Sequence, residues 1–329
     1  MNPAEVLKKY PNFEKDFSIH EFGVGATNTT YRVDRGGELF ILQKMHAVFS
    51  RELIEDIDTV TKHLAGQGIL TGQVIRTLDG RLFVEDADSW WRMFTYVTGN
   101  IFTAIEGEQM AESAGRLIGT WHQALANLEY DFKFQIPDFH NVELTLEKLA
   151  EILIECVHDA KYESLKPLAL NVLKDYKSLP KIDNLPIRII HGDLKISNVV
   201  FDENGEAVSI IDLDTFMHST IAIEMGDALR SWCMPGGEDT DYVRFDRGIY
   251  DAALKGYFET AEFLTEEEKA SIPYGVKLIT LELTARFIID AFTESYFKLN
   301  SSYPSLYEQN KKRAENQYAF FQSFSEAEM

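Results

Sequence analysis

At 329 residues and 45% hydrophobic side chains, the chain is long enough to bury a sizeable core as one large or two modest domains, and wholesale disorder is excluded. A formal charge of −21 argues against a nucleic-acid partner, because phosphate backbones recruit Lys/Arg-rich faces, while a cationic substrate stays possible. Cys156 and Cys233 are the only cysteines and lack metal-ligand spacing. With no apolar signal core at the N-terminus and no run of membrane-spanning length, a cytoplasmic location without membrane contact is expected.

Up to about residue 97 the pattern is β-rich with one inserted helix. Residues 17–22 and 30–34 read as strands joined by a loop containing Gly23 and Gly25. Arg35-Gly36-Gly37 turns the chain into a third strand, residues 39–45. Helical apolar spacing through Leu53, Ile57, Val60 and Leu64 predicts a helix over 51–64. Residues 73–76 and 82–85 flank Asp79-Gly80 as a further hairpin, and 91–97 form a last apolar strand. Thr98-Gly99-Asn100 is the expected hinge. Beyond it, helices are predicted over 106–128, 144–157, 165–179, 242–263, 274–292 and 305–324. The expected fold is therefore α+β and bilobal, like a protein kinase: a nucleotide-binding lobe over 1–97 and a helical catalytic and substrate-binding lobe over 98–329.

One motif interrupts the helices. His191-Gly192-Asp193-Leu194-Lys195-Ile196-Ser197-Asn198 is followed by Asp212-Leu213-Asp214. Ile187, Ile189 and Ile190 read as a buried strand entering this loop, and Val199-Val200-Phe201 as a strand leaving it. Asn204-Gly205 supplies a tight turn, and residues 208–211 return to bring Asp212 beside Asn198. Phosphoryl transfer from a Mg-nucleotide needs a carboxylate to orient the attacking hydroxyl, and an amide oxygen and a second carboxylate to hold the metal. Asp193 fits the first role, Asn198 and Asp212 the second. Asp214, two residues on and on the same side of a strand, would assist at the metal. Lys195 either neutralises the transferring group or is a solvated loop lysine, and His191 braces the loop.

The phosphates would lie under Gly23-Val24-Gly25-Ala26-Thr27-Asn28, although two glycines suit any tight turn. Lys44, closing Ile41-Leu42-Gln43-Lys44-Met45, is the candidate phosphate cation. Strand parity opposes it: if Ile41 faces adenine, Gln43 faces the phosphates and Lys44 points away. The acidic partner in the following helix is Glu52, Glu55 or Asp58. Phe94, Tyr96 and Val97 would offer backbone groups to adenine, or simply form a buried strand. Glu282, Arg286 and Asp290 make one polar stripe, either an ion-pair ladder or an arginine aimed at substrate. Tyr296 and Phe297 would add an aromatic wall, and Gly226-Asp227 with Arg230 an internal anchor for the catalytic loop.

The motif over 191–198 with Asp212-Leu213-Asp214 resembles the aminoglycoside phosphotransferase and choline kinase-like superfamily. Asn28-Thr29-Thr30-Tyr31, Phe40-Ile41-Leu42-Gln43-Lys44-Met45, Ile136-Pro137-Asp138-Phe139-His140, Ile210-Ile211-Asp212-Leu213-Asp214-Thr215 and Gly226-Asp227-Ala228-Leu229-Arg230 look more specifically like the N-acetylhexosamine 1-kinases, as do Arg286-Phe287 and Tyr296-Phe297. Asn141-Val142 and Glu224-Met225 depart from that subfamily, which usually has Asp and Thr, and Asp-Phe, there. The resemblance implies an ATP- and Mg-dependent kinase acting on a small-molecule hydroxyl, with Asp193 activating the anomeric hydroxyl of an N-acetylhexosamine. It implies that Arg286 helps hold the sugar; Asn28, Thr29 and Gln43 are candidate ATP contacts, and His140 and Tyr296 candidate substrate contacts. Aminoglycoside, choline and homoserine kinases of the same superfamily are the nearest alternatives, and a catalytically silent nucleotide-binding regulator is a third.

Overall fold

The computed structural model describes residues 1–329 except Lys15, residues 24–27, Asp88 and Met329. A short helix, α1 (Pro3–Leu7), opens the chain; Asn2 and Glu5 close a reciprocal capping box around it, and Pro3 sits in its first turn, where no N–H is needed. Strands β1 (Ser18–Glu21), β2 (Thr29–Arg35) and β3 (Glu38–Lys44) follow. After helix α2 (Leu53–Gly66) come β4 (Val84–Asp86) and β5 (Ser89–Thr95), completing an antiparallel sheet in the order β1-β2-β3-β5-β4.

Alternation along β3 and β5 gives this sheet two different faces. Phe40, Leu42, Trp91 and Met93 pack with Val6, Leu7, Tyr10 and Phe13 from the N-terminal segment. The opposite face carries Ile41 and Gln43 from β3 and Arg92 and Phe94 from β5, with Gln43 and Arg92 paired across the strands. Residues 73–76 do not form the expected strand. They lie along β5 through Ile75 N–H to Met93 O (2.8 Å) and Thr95 N–H to Gln73 O (2.9 Å). Val84 takes the same edge of β5 opposite Trp91, so that edge is divided between two segments and the Asp79-Gly80 turn joins no hairpin.

The remaining chain is mainly helical. It contains β6 (Asn100–Ile101), α3 (Glu108–Leu125), α4 (Val142–Glu155), α5 (Tyr162–Ser178) and β7 (Arg188–Ile190). Next come β8 (Val199–Phe201), β9 (Ala207–Ile210), β10 (Met217–Ser219), α6 (Ile221–Trp232), α7 (Arg247–Thr260), α8 (Glu266–Thr293) and α9 (Leu306–Ala327). β8 and β9 form the expected hairpin, extended by β6. β7 instead pairs with β10, and Ile187, expected in a buried strand, is 62% exposed.

Two helices differ most from expectation. α6 was not anticipated, although Glu224, Asp227, Arg230 and Ser231 recur at helical spacing; eleven of its twelve residues are buried, so this polar stripe faces other protein groups rather than water. α8 starts eight residues earlier than expected, at a Thr265/Glu268 capping box, and runs through Pro273. These two helices touch backbone to backbone: a Cβ on Gly275 would lie 1.8 Å from the Ala222 carbonyl oxygen. α7 begins at Arg247, where Asp246 caps it, rather than at 242. No described helix is long and apolar enough to cross a membrane.

Candidate active site

The loop after β7 is fastened from below by α6. Both oxygens of the buried Glu224 carboxylate accept backbone N–H groups, His191 at 2.7 Å and Gly192 at 2.8 Å. The His122 ring reaches Glu224 as well, at 3.2 Å. Burial alone would raise the Glu224 pKa, but these donors and the neighbouring imidazoles hold it below the ordinary glutamate value. Trp232 adds an indole N–H to the Leu194 carbonyl at 2.8 Å. His191 accepts the Asp193 N–H at Nδ1 (3.2 Å) and donates from Nε2 to Ile211 O (3.0 Å), so it braces the loop and ties it to the end of β9. Gly192 is required here. Its φ is +82°, and a Cβ would meet Thr215 O at 2.7 Å. The principal anchor is thus Glu224; Asp227 and Arg230, expected to anchor the loop, pair with each other at 3.0 Å.

Asp193 projects from this braced loop. Its Oδ2 accepts from Lys195 Nζ (2.6 Å) and from Asn198 Nδ2 (3.2 Å). Oδ1 has no donor among the described residues. Burial would lower the Lys195 pKa, but the Asp193 charge and hydrogen bond outweigh it and raise the value, so this lysine is a cation on the loop. Asn198 closes a single 3₁₀ turn and donates its amide hydrogens to Asp193, including the backbone oxygen at 2.8 Å. Its Oδ1 is thereby turned outward as an acceptor. Ile211 N–H to Asn198 O (2.9 Å) then brings Asp212 alongside, as the hairpin pattern implied.

Asp212 and Asp214 do not share a strand face. Asp212 is left-handed (φ 63°), and residues 213–215 form a 3₁₀ turn, so the two carboxylates diverge. Asp212 opens to solvent and has no hydrogen bond or ion pair among the described residues. Crowding by protein atoms and the Asp214 charge push its pKa up, against Lys195. Asp214 is buried and engaged on both oxygens: Asn28 Nδ2 donates to Oδ2 at 2.8 Å, and Arg92 Nη2 lies 2.5 Å from Oδ1. No three His, Cys, Asp or Glu side chains converge on a metal position among the described residues. The free donors are instead the amide oxygen of Asn198 and the carboxylate of Asp212. Such a hard-oxygen pair fits a magnesium ion that keeps waters and phosphate oxygens in its remaining positions.

Above these groups lies the inner face of the sheet. Gln43 points inward, accepting from Arg92 Nε at 2.9 Å and donating to Thr30 Oγ1 at 3.1 Å. Lys44 points outward, exposed, with Nζ 5.9 Å from the Trp91 ring. Glu52, Glu55 and Asp58 do not reach either residue. Glu55 pairs with Lys133, and Asp58 with Lys62 and Arg76. Arg92, which the sequence reading missed, is the buried cation here; a lone charge amid Trp90, Trp91, Met93 and Phe94 was the available signal. Gly23 lies at φ 80°, Thr29 is half-buried in β2, and Gly25 falls outside the described residues. Asn28 also accepts the His46 N–H at 2.9 Å. Tyr96 N–H is taken by Leu39 O (3.2 Å), whereas Val97 keeps its backbone groups free of hydrogen bonds among the described residues. Phe94 lies under the Arg92 guanidinium at 5.0 Å.

The polar stripe on α8 splits three ways. Glu282 lies 3.1 Å from His140 Nδ1, while His140 Nε2 is 2.8 Å from Gly192 O. Acceptors at both ring nitrogens suit a doubly protonated ring. Burial would lower the His140 pKa, but Glu282 overcomes it and raises the value; burial likewise opposes the drop in Glu282, which His140 causes. Arg286 donates to Tyr296 Oη at 2.8 Å and covers the Tyr296 ring at 5.0 Å and the Phe297 ring at 5.9 Å. Asp290 accepts the N–H groups of Ser295, Tyr296 and Phe297, so it shapes the loop that carries Tyr296. His140 is therefore tied to the loop at Gly192 with both ring nitrogens occupied, whereas Arg286 reaches only the exposed loop of Tyr296 and Phe297.

Comparison with known proteins matches this architecture. Residues 18–263 match the phosphotransferase enzyme family (APH). An amicoumacin kinase in complex with AMP-PNP, Ca2+ and amicoumacin superposes with a TM-score of 0.66 at 17% identity, over 95% of this chain and 91% of that one. A microcompartment-associated aminopropanol kinase gives 0.67 at 17% identity, over 98% and 97%. Choline kinase from Cryptosporidium parvum gives 0.64 at 11%, over 97% and 93%. At these identities the likeness concerns the fold. The family match covers most of the chain, including the loop of Asp193, Asn198 and Asp212, and the chain belongs to the APH phosphotransferase enzyme family.

Proposed function

We propose that this phosphotransferase moves the γ-phosphoryl group of ATP, with Mg2+, to a sugar hydroxyl, the anomeric hydroxyl of an N-acetylhexosamine. The observation that carries the reading is the division of labour on Asp193. One oxygen is fixed by Lys195 and Asn198, and the other is left to orient a hydroxyl and take its proton. Lys195 offsets charge on the transferring group. Asn198 and Asp212 would hold the metal, which when bound neutralises charge on the β- and γ-phosphate oxygens. Residues 1–97 then serve as the nucleotide lobe and 98–329 as the catalytic and substrate lobe. The two cysteines, Cys156 and the buried Cys233, are free thiols, which fits work in the cytoplasm.

A neutral sugar is favoured over an amino cation by how the surrounding charges are spent. Asp227 is matched by Arg230, Asp239 by Arg313, Glu282 by His140, and Asp290 by backbone N–H groups. The aromatic faces of Tyr296 and Phe297 are covered by a guanidinium, so they do not form an open cage for an ammonium group. Arg286 keeps guanidinium donors that suit hydroxyl and amide oxygens, whereas both ring nitrogens of His140 are taken up by Glu282 and Gly192 and leave it no donor for a sugar. ADP release measured across sugars, amino alcohols and aminoglycosides tests the assignment. Preference for an N-acetylhexosamine supports it; preference for choline, homoserine or an aminoglycoside refutes the acceptor, and nucleotide binding without turnover of any acceptor refutes the enzyme reading.

A further inference from the structure

We infer that Arg92 of β5 is the side chain that meets the nucleotide's phosphates, in place of a cation on β3. The inference rests on the phosphoryl-transfer reading and adds to it the identity of the phosphate ligand. β3 has no cation to offer on the inner face, since Gln43 is neutral and Lys44 lies on the far side over Trp91. Arg92 stands directly across from Gln43 in the register, and the two are hydrogen-bonded at 2.9 Å. Gln43 is in turn held by Thr30, so it acts as a spacer that fixes the guanidinium plane.

The guanidinium is 2% exposed, and its three nitrogens are unequally used. Nε is bonded to Gln43. Nη2 lies 2.5 Å from Asp214 Oδ1 as a charge contact without an aligned hydrogen bond. Nη1 is buried with no partner at all among the described residues. Folded proteins rarely leave a buried N–H without an acceptor, and a charged one is costlier still. A phosphate oxygen satisfies Nη1, and arginine's planar fork suits that geometry. Asp214, held by Asn28 at the end of the glycine loop, balances the charge while no phosphate is there. The other arginine on this face, Arg32, is exposed and lies out over Phe22, 5.7 Å from its ring centre.

The test compares binding of Mg–ADP and adenosine to the full chain by titration calorimetry, with melting temperature as the check on folding. In Arg92→Met, ADP affinity should fall at least tenfold while adenosine affinity stays within twofold. Gln43→Lys combined with Arg92→Met returns a cation to the same spot from the neighbouring strand, and should recover most of the ADP preference. Arg32→Met should leave the preference unchanged. If Arg92→Met does not fold, Arg92→Lys keeps the charge beside Asp214 with fewer donors and should lose ADP preference about threefold. An unchanged ADP-to-adenosine ratio in the folded variants, or equal loss of both ligands, overturns the inference. Wild-type protein that binds neither ligand overturns the phosphotransferase reading itself, which the Arg92 result alone would not.

Discussion

Asp193→Asn keeps both hydrogen bonds to Oδ2 plausible in shape but removes the proton acceptor. Turnover should fall by about 10²–10⁴, the usual contribution of a positioned general base, while ADP affinity is preserved; undiminished turnover would remove Asp193 from the chemistry. The buried His140–Glu282 pair makes a second residue-scale prediction. His140 has a raised pKa, so its contribution to stability is complete below the ordinary 6.5 and is lost as pH rises through the folded value. Glu282 has a lowered pKa, so its contribution is present above the ordinary 4.5 and is lost as pH falls through the folded value. The stability difference between wild type and Glu282→Gln should therefore peak between those two ordinary values, at about 2 kcal/mol for a charged buried hydrogen bond, and shrink on either side. Denaturant titrations across pH measure it, and a difference that does not vary with pH contradicts it. At this scale, the grouping of Asp193, Asn198 and Asp212 was legible because a local hairpin assembles them. Arg92 and Glu224 were not, because their roles depend on which face a strand shows and on a partner far along the chain.

Among the elements, α6 and α8 do most to set the site. α6 supplies Glu224 beneath the loop of residues 191–198, and α8 supplies Glu282, Arg286 and Asp290. Their axes approach closely only because Gly226 and Gly275 face each other, with a Cβ on Gly226 falling 2.5 Å from the Gly275 backbone. Gly275→Ala should overpack this crossing and cost about 1–3 kcal/mol, read as a lower melting temperature. Turnover should drop as well, since α6 would carry Glu224 away from His191 and Gly192; a variant as stable as wild type would show that the crossing has slack. The amphipathic helices α2, α3 and α9 were legible from apolar spacing. α6 was hidden because Asp227 and Arg230 of its polar stripe read as an internal anchor rather than as part of a helix, and the first turns of α8 because Pro273 reads as a boundary. β7 has no partner legible in the sequence, since β10, its neighbour in the structure, is too short and too polar to signal a strand.

Over the whole molecule, Met45, Phe49, Trp90 and the buried face of α2 share one hydrophobic core with the helical part, and polar bridges add to it. Asp214 binds Asn28 and Arg92 across the gap, and Asp56 of α2 accepts from Tyr130 Oη (2.8 Å), Lys133 N–H (3.0 Å) and Phe134 N–H (3.0 Å). The bilobal plan was visible in the switch from β-rich to helical periodicity near residue 97, whereas these bridges, spanning long sequence separations, were not. Because a nucleotide bound between the parts stabilises only the folded state, Mg–ADP at 100 times its Kd should add about 2.7 kcal/mol, seen as a rise in melting temperature. Adenosine at the same multiple should do likewise, and the absence of any rise with either would contradict nucleotide binding. The acceptor is decided most directly by 31P NMR of a reaction holding enzyme, Mg–ATP, an N-acetylhexosamine, an amino alcohol and an aminoglycoside together. The expected result is ADP with a sugar 1-phosphate whose phosphorus couples to the anomeric proton; phosphorylation of the amino alcohol or aminoglycoside, with the sugar untouched, would contradict it.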